Sequence, residues 1–307
     1  MKHTITRLNK KLGDRLYSGT FLAPSLIGVL TFFIVPFFVV IYYALIDNPV
    51  GRNFVWFANF QHVLTNFSFR TATTNTLLFS IVAVPLAVIL ALWLAVLLEG
   101  KIPFKSQLRT FFLSPMMVPV ASIVLIWQVL FHHNGAINDT LSNIASATGW
   151  FSYDRAAREW IDWFYSGVSQ VPIILLFLWR NLGYNMILFM AALNNIPRDL
   201  IEVANLEGGS AFYIFRTVKL RFLSPTILFV TILSLINSFR VFREIFLLVP
   251  RIPYGRLYML QHYMNNMFER LDYQSLAAAA IIMGIVMVAI IGLLFLFESW
   301  YGKDVEG

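Results

Sequence analysis

The stretch IEVANLEGGSAFYIFRTVKL, residues 201–220, carries two Glu, an Arg, a Lys and a Gly-Gly pair between two long apolar runs. Just before it, Pro197 has a fixed φ and no N–H, which suits the first turn of a new helix and disfavours continuing an old one. Asp199 and Glu202 then fall in that first turn, where carboxylates complement the positive helix end. Gly208-Gly209 permits a sharp break, and Ser210 is suited to cap a second helix. In that helix Ala211, Phe215, Val218 and Phe222 recur at i, i+4, i+7 and i+11, which predicts one apolar stripe, with Arg216 and Lys219 off it. The spacing predicts a helix–glycine–helix elbow with one side packed on protein and another open to a partner.

The surroundings of the elbow are lipid-like. Of 307 residues, 58% are hydrophobic, 16% aromatic and 13% charged, with a mean hydropathy of +0.70. A soluble domain carries roughly 25% charge. Six stretches reach the roughly 18–20 apolar residues that a spanning helix needs, near 21–46, 77–98, 110–131, 170–193, 223–249 and 275–297. The expectation is an all-α integral membrane protein: a tail at 1–20, a membrane domain at 21–298 that includes a connecting loop at 194–222, and a second tail at 299–307. The first run follows Lys2, Arg7, Lys10, Lys11 and Arg15. It is far longer than the roughly 7–15-residue core of a signal peptide, so an uncleaved span is expected.

Charge sets the topology. The connections at 1–20, 99–109, 194–222 and 298–307 hold 13 Lys and Arg, against 7 in those at 47–76, 132–169 and 250–274. The positive-inside rule then places both termini and the elbow in the cytoplasm. The net charge of +7 is spread over these short connections, so nucleic acid is not an expected partner. The absence of Cys excludes disulfides. The outer connections are long and aromatic, as in FVWFANFQHVLTNF and GWFSYDRAAREWIDWFY, which fits an interfacial belt. No internal repeat is visible, which gives no support to a transporter built from two similar halves.

Some charges lie inside the apolar runs. Arg180 sits near the middle of the fourth, and Arg240, Arg243 and Glu244 lie in the outer half of the fifth. A charge at the bilayer centre costs about 2.5–3.5 kcal/mol on insertion scales. The 17 large apolar residues of the fifth run supply roughly 5–10 kcal/mol. Three charges could cancel nearly all of that, so these side chains must face water or a partner helix. Asn237, Arg240 and Glu244 fall at i, i+3 and i+7, one helix face, and Arg240 and Glu244 are spaced as an i,i+4 pair. Two readings stay open: an ion pair that locks helices together, or the polar wall of a translocation path, where Arg, Asn and aromatic groups suit sugar hydroxyls. Arg180 is expected to snorkel or to meet a structural partner. Tyr184 and Asn185 are candidates for the path or for packing, and Met116 and Met117 read as core. His132 and His133 read as a wet outer turn and no metal site is expected. No H-E-x-x-H, Walker A or G-x-S-x-G pattern is present, and no cofactor is expected.

The order of residues around the elbow adds a resemblance. IPRDLIEVANLEGGSAFYIFRTVKL resembles the EAA loop of binding-protein-dependent ABC importer permeases. The family's Glu falls on Glu202, its second Ala on Ala204, its Gly on Gly208, and its hydrophobic-x-Leu on Val218-Lys219-Leu220, with Gly209 completing the break. Val203, Glu207 and Arg221 stand where Ala, often Asp, and usually Pro occur in the family. FVWFANFQHVL with NTLLFS, FFLSPMMVPVASIVLIWQVLFHHNGAIN, WRNLGYNMILFMAALNNIP and LSPTILFVTILSLINSFRVF are similar, in order, to successive spans of the maltose and glycerol-phosphate permease type. The family's common Gly-Gly-Pro after the fifth span is replaced by VPRIPYGRLYML.

The resemblance implies a six-span type I importer permease that moves a carbohydrate into a bacterial cell across the plasma membrane. It implies no catalysis of its own. The implied partners are an ATP-binding ABC subunit docked on Glu202, Ala204, Gly208 and Gly209, a second homologous permease, and an extracytoplasmic solute-binding protein. Asn237, Arg240, Glu244 and Tyr184 would line the path. The competing class is a stand-alone secondary transporter, which needs intramembrane acids for ion coupling, and Glu244 is the one clear candidate. An intramembrane enzyme would need a nucleophile–base or metal constellation inside a span, and the sequence shows none.

Overall fold

The computed structural model describes residues 21–100, 102–148, 161–249, 253 and 255–301. The basic tail at 1–20, most of the second aromatic outer stretch, and residues 302–307 lie outside the described residues. Among the described residues helix is the repeating element, and an isolated antiparallel bridge joins Ile46 and Phe54.

The chain forms two compact units. The first comprises the residues up to Thr65 together with Met267–Ile285. It holds α1 (Phe21–Leu45), α2 (Ala58–Thr65) and the start of α13 (Tyr273–Tyr301). Pro36 has no N–H to give, and α1 accommodates it by widening into a π-turn at Leu30–Ile34, closed by the Val35 N–H donating to Leu30 O. The Asn59 side chain donates to Ala44 O (3.0 Å) and Ile46 O (2.8 Å), which satisfies carbonyls left open where α1 ends.

The second unit comprises Asn66–Asn266 and Val286 onward. Its elements are α3 (Phe67–Glu99), α4 (Lys105–Met117), α5 (Val120–Leu130), α6 (Ala136–Thr148), α7 (Gln170–Asn194), α8 (Arg198–Leu206), α9 (Ala211–Ile214, continuing through a π-turn at Phe215–Lys219 and Leu220–Phe222), α10 (Ser224–Phe239), α11 (Phe242–Leu248) and most of α12 (Leu260–Glu269). Helix α7 packs against α3, α4 and α10. The sequence allows close approach: Ala83, Ala87, Ala91 and Ala95 recur every four residues along α3 and are all fully buried. Small residues in such a row let helix backbones come together in lipid, where packing drives association. Gly183 does the same on α7, where a Cβ would lie 1.9 Å from Phe112 O.

Buried polar pairs tie the same helices. Ser80 Oγ and Ser238 Oγ share a hydrogen bond of 2.8 Å between α3 and α10. The Asn185 amide donates to Ser234 Oγ at 2.9 Å between α7 and α10. Near the start of α3, Asn75 donates to Gly255 O and Tyr258 O (both 3.0 Å), and Thr76 Oγ1 accepts from Leu260 N (2.8 Å).

One span departs from a straight reading. The run expected at 110–131 is divided into α4 and α5, bent by 100° at Val118-Pro119. Pro119 has no N–H for the ladder and pushes Val118 out of the helical region, to φ −81° and ψ 131°. Among the described residues, five helices are long and apolar enough to cross a membrane, and six if this bent pair counts as one.

Candidate substrate cavity and coupling elbow

Helices α7, α10, α11 and α12, with Met116 at the end of α4, line an open cavity of about 730 Å³. Arg180, Asn181 and Tyr184 reach it from α7, Asn237 from α10, and Gln261 from α12. Arg240, Arg243 and Glu244 complete its polar wall, and Phe242, Phe246 and Met116 are among its apolar lining. All four residues singled out for the path, Tyr184, Asn237, Arg240 and Glu244, therefore meet at one cavity.

Their arrangement differs from a single helix face. The helix stops at Phe239 and resumes at Phe242, so Arg240 lies in a turn, closed by its N–H donating to Asn237 O. The i,i+4 spacing of Arg240 and Glu244 presumes an unbroken helix, and here it produces no pair between them. Glu244 instead forms a salt bridge with Arg180 across to α7. The neighbouring contact is Asn237 Nδ2 donating to Asn181 Oδ1 at 2.9 Å, again between two membrane helices. Glu244 thus joins α7 to this segment through Arg180 and also lines the cavity, while Arg240 lines the cavity without pairing with it.

Three nearby candidates sort out differently. Asn185 is buried, with its amide on Ser234, and is a packing group. Met116 and Met117 are exposed rather than core, because α4 ends at the proline bend and leaves them at its rim. Asn181, Arg243 and Gln261 were not singled out for the path from sequence. Arg243 carried a signal as an intramembrane charge, whereas Asn181 and Gln261 show their role only once the helices are packed.

The elbow is built from local rules. Pro197 is the N-cap residue of α8, and Asp199 lies in its first turn. At the other end the Gly208 N–H donates to Asn205 O (3.0 Å) and the Gly209 N–H to Ala204 O (2.9 Å), the paired bonds of a Schellman motif. Gly208 adopts φ +81°, a region that side chains with a Cβ avoid. Gly209 is constrained by space, since a Cβ there would lie 2.7 Å from Ala204 O. Ser210 then caps α9, its hydroxyl accepting from Tyr213 N at 3.2 Å.

The stripe expected along α9 is displaced. Ile214 is the buried position, while Ala211 is exposed, Phe215 and Val218 are half-buried and Phe222 is 37% exposed; Leu223, just beyond α9, is fully buried. The π-turn at Phe215–Lys219, closed by the bond from Leu220 N to Phe215 O, rotates the residues beyond it, so that Leu223 rather than Phe222 is buried; Ala211 precedes it and its exposure has no such cause. The outer side of the elbow presents Val203, Leu206, Phe212 and Tyr213 with Glu202 and Glu207 beside them, all exposed. Behind it, Lys219 Nζ meets Glu99 Oε2 at 2.6 Å, and Lys105 Nζ donates to Glu99 O at 3.1 Å. Glu99 carried no signal in the sequence, because its role depends on where the π-turn delivers Lys219.

Comparison with known proteins agrees with this architecture. A lactose transport system permease of Rhizobium radiobacter is 29% identical over 238 residues, covering 75% of this chain and 76% of the relative. A trehalose/maltose transport system permease of Thermococcus litoralis is 26% identical over 286 residues, covering 92% of each. Among solved structures, a chain from a bacterial ABC transporter that imports the acidic polysaccharide alginate shares the fold, with a TM-score of 0.79 at 19% identity, over 98% of this chain and 100% of that one. The family model of the binding-protein-dependent transport system inner membrane component matches residues 83–306. The chain is a multi-pass membrane protein and belongs to that family of ABC transport permeases.

Proposed function

We propose that this chain is one permease subunit of an importer that carries a carbohydrate into a bacterial cell, driven by ATP hydrolysed on a separate subunit. The observation that carries the reading is the cavity of about 730 Å³ among membrane helices, lined by Arg, Asn, Gln and Tyr side chains suited to hydroxyl groups. The relatives named for lactose and for trehalose/maltose support a sugar as cargo. The elbow of Glu202, Ala204, Gly208 and Gly209 is the docking point for the ATPase. Its exposed Val203, Leu206 and Phe212 supply the apolar contact, and Glu202 orients it. A second, homologous permease closes the path, and an extracytoplasmic solute-binding protein delivers the sugar. Both termini and residues 194–222 face the cytoplasm. Closure of the ATPase draws the elbows together and turns the cavity outward.

The test is affinity purification of the tagged chain in mild detergent, followed by uptake measurements in proteoliposomes. An ATP-binding subunit and a second permease should come with it, and sugar uptake should require ATP inside. A chain that purifies alone and transports sugar on an ion gradient refutes the proposal.

A further inference from the structure

We propose that the cargo of this cavity is an anionic carbohydrate, held by its acid group between Arg240 and Arg243. The inference rests on the importer reading and narrows the substrate class of the same cavity. Four charged side chains line it: Arg180, Arg240, Arg243 and Glu244. Glu244 is taken up by the salt bridge to Arg180. Neither Arg240 nor Arg243 forms an ion pair among the described residues, and both are exposed on the cavity side of the break between α10 and α11. Three positive groups against one negative leave an excess of positive charge on the wall.

A neutral sugar does not call for that excess. Asn181, Asn237, Tyr184 and Gln261 already offer donors and acceptors for hydroxyl groups, and uncompensated charge at membrane depth is costly. Glu244 meets that cost for Arg180 and its charge also acts on Arg243, but among the described residues no carboxylate comes within ion-pair distance of Arg240 or Arg243. A guanidinium presents a planar fork that binds a carboxylate, sulfonate or phosphate group through two parallel hydrogen bonds. Two such forks three residues apart, in a cleft whose walls focus the field, suit one acid group on a sugar.

The test uses the complete importer in proteoliposomes with its binding protein. The probes are labelled digalacturonate, its carboxyl-reduced neutral disaccharide, a hexose phosphate and inorganic phosphate. An acidic carbohydrate should be taken up at least tenfold faster than the neutral disaccharide, and the better of the two acids identifies the group. Arg240→Gln and Arg243→Gln should each lower acid uptake at least tenfold with the same ATPase copurifying. The double variant should bring the acid-to-neutral ratio towards one, and Arg240→Lys, which keeps the charge but loses the fork, should fall between wild type and Arg240→Gln. Preferred uptake of the neutral disaccharide, uptake of inorganic phosphate alone, or acid uptake unchanged in both Gln variants would overturn the inference while leaving the importer intact. If no probe moves and no ATPase copurifies, the importer reading itself has failed and the inference goes with it.

Discussion

The carboxylate of Glu244 is held by Arg180 on a neighbouring helix and not by Arg240, one turn away in its own segment. A cross-helix pair of this kind contributes little when intact, because desolvation offsets most of the attraction. Removing one partner is another matter, since the other, Glu244 above all, is then left largely buried without its counter-charge.

Glu244→Gln or Arg180→Gln alone should therefore lower stability by roughly 3–5 kcal/mol. The exchange Arg180→Glu with Glu244→Arg should recover much of the loss. Exchanging Arg240 with Glu244 should not, because it leaves Arg180 facing a like charge. Melting midpoints of the detergent-solubilised variants decide between the two exchanges.

The elbow makes a sharper prediction at Gly208. Asn is the residue besides Gly that accepts a left-handed cap, so Gly208→Asn should keep most ATPase recruitment and uptake, whereas Gly208→Val should abolish both with the chain still in the membrane. Equal activity of the two variants would mean that the turn at φ +81° has no part in docking.

Orientation is open to thiol labelling, since the chain has no Cys. Asn205 is exposed on the elbow and Asp139 on α6, whereas Asn138 is buried and bonded to His133 O, Ile161 O and the Trp163 indole, so it would make a poor probe. An impermeant maleimide added to spheroplasts should label Asp139→Cys and spare Asn205→Cys. The opposite pattern would invert the topology.

A pH effect is expected from His262, on α12. Burial holds its pKa down to about 4, and its Nδ1 accepts from Met259 N at 3.2 Å. The folded protein keeps this imidazole neutral while the unfolded chain takes up a proton below about pH 6.5. The folded state then binds fewer protons, so its advantage is complete above pH 6.5 and is lost as pH falls towards 4, by up to roughly 3 kcal/mol. In His262→Asn, whose amide oxygen can replace Nδ1, the melting midpoint should fall less between pH 7 and pH 5. An unchanged pH slope would assign the effect to other groups.

Local rules made much of this legible in advance. The Ser210 cap and the break at Gly208 follow from short-range geometry, and the apolar runs follow from bilayer thickness. The cost of intramembrane charge marks Arg240 and Glu244 and their spacing adds Asn237, whereas Tyr184 reads equally as path or packing; all four line the cavity. Partner choice did not follow. Spacing offered Arg240 to Glu244, but a helix break at Arg240 and the proximity of α7 gave it Arg180, and neither is written in a periodicity. The far part of the stripe on α9 failed for a related reason: one wide turn at Phe215–Lys219 rotates the residues beyond it. The 100° bend at Val118-Pro119 sits in the pair of prolines of SPMMVP, yet a proline alone does not fix how far a helix turns.

The bond between Lys219 and Glu99 has a mechanical consequence. Glu99 is the last residue of α3, a helix of 33 residues, which makes a rod of about 50 Å. Near the other end of that rod, Asn75 and Thr76 grip the segment from Gly255 to Leu260, just ahead of the Gln261 that lines the cavity. A push on the elbow would thus reach the end of one continuous helix, interrupted only by Pro85 in its ladder, whose other end is fastened beside the cavity. Under the proposed function, one helix would join the docking elbow to the chamber that receives the cargo.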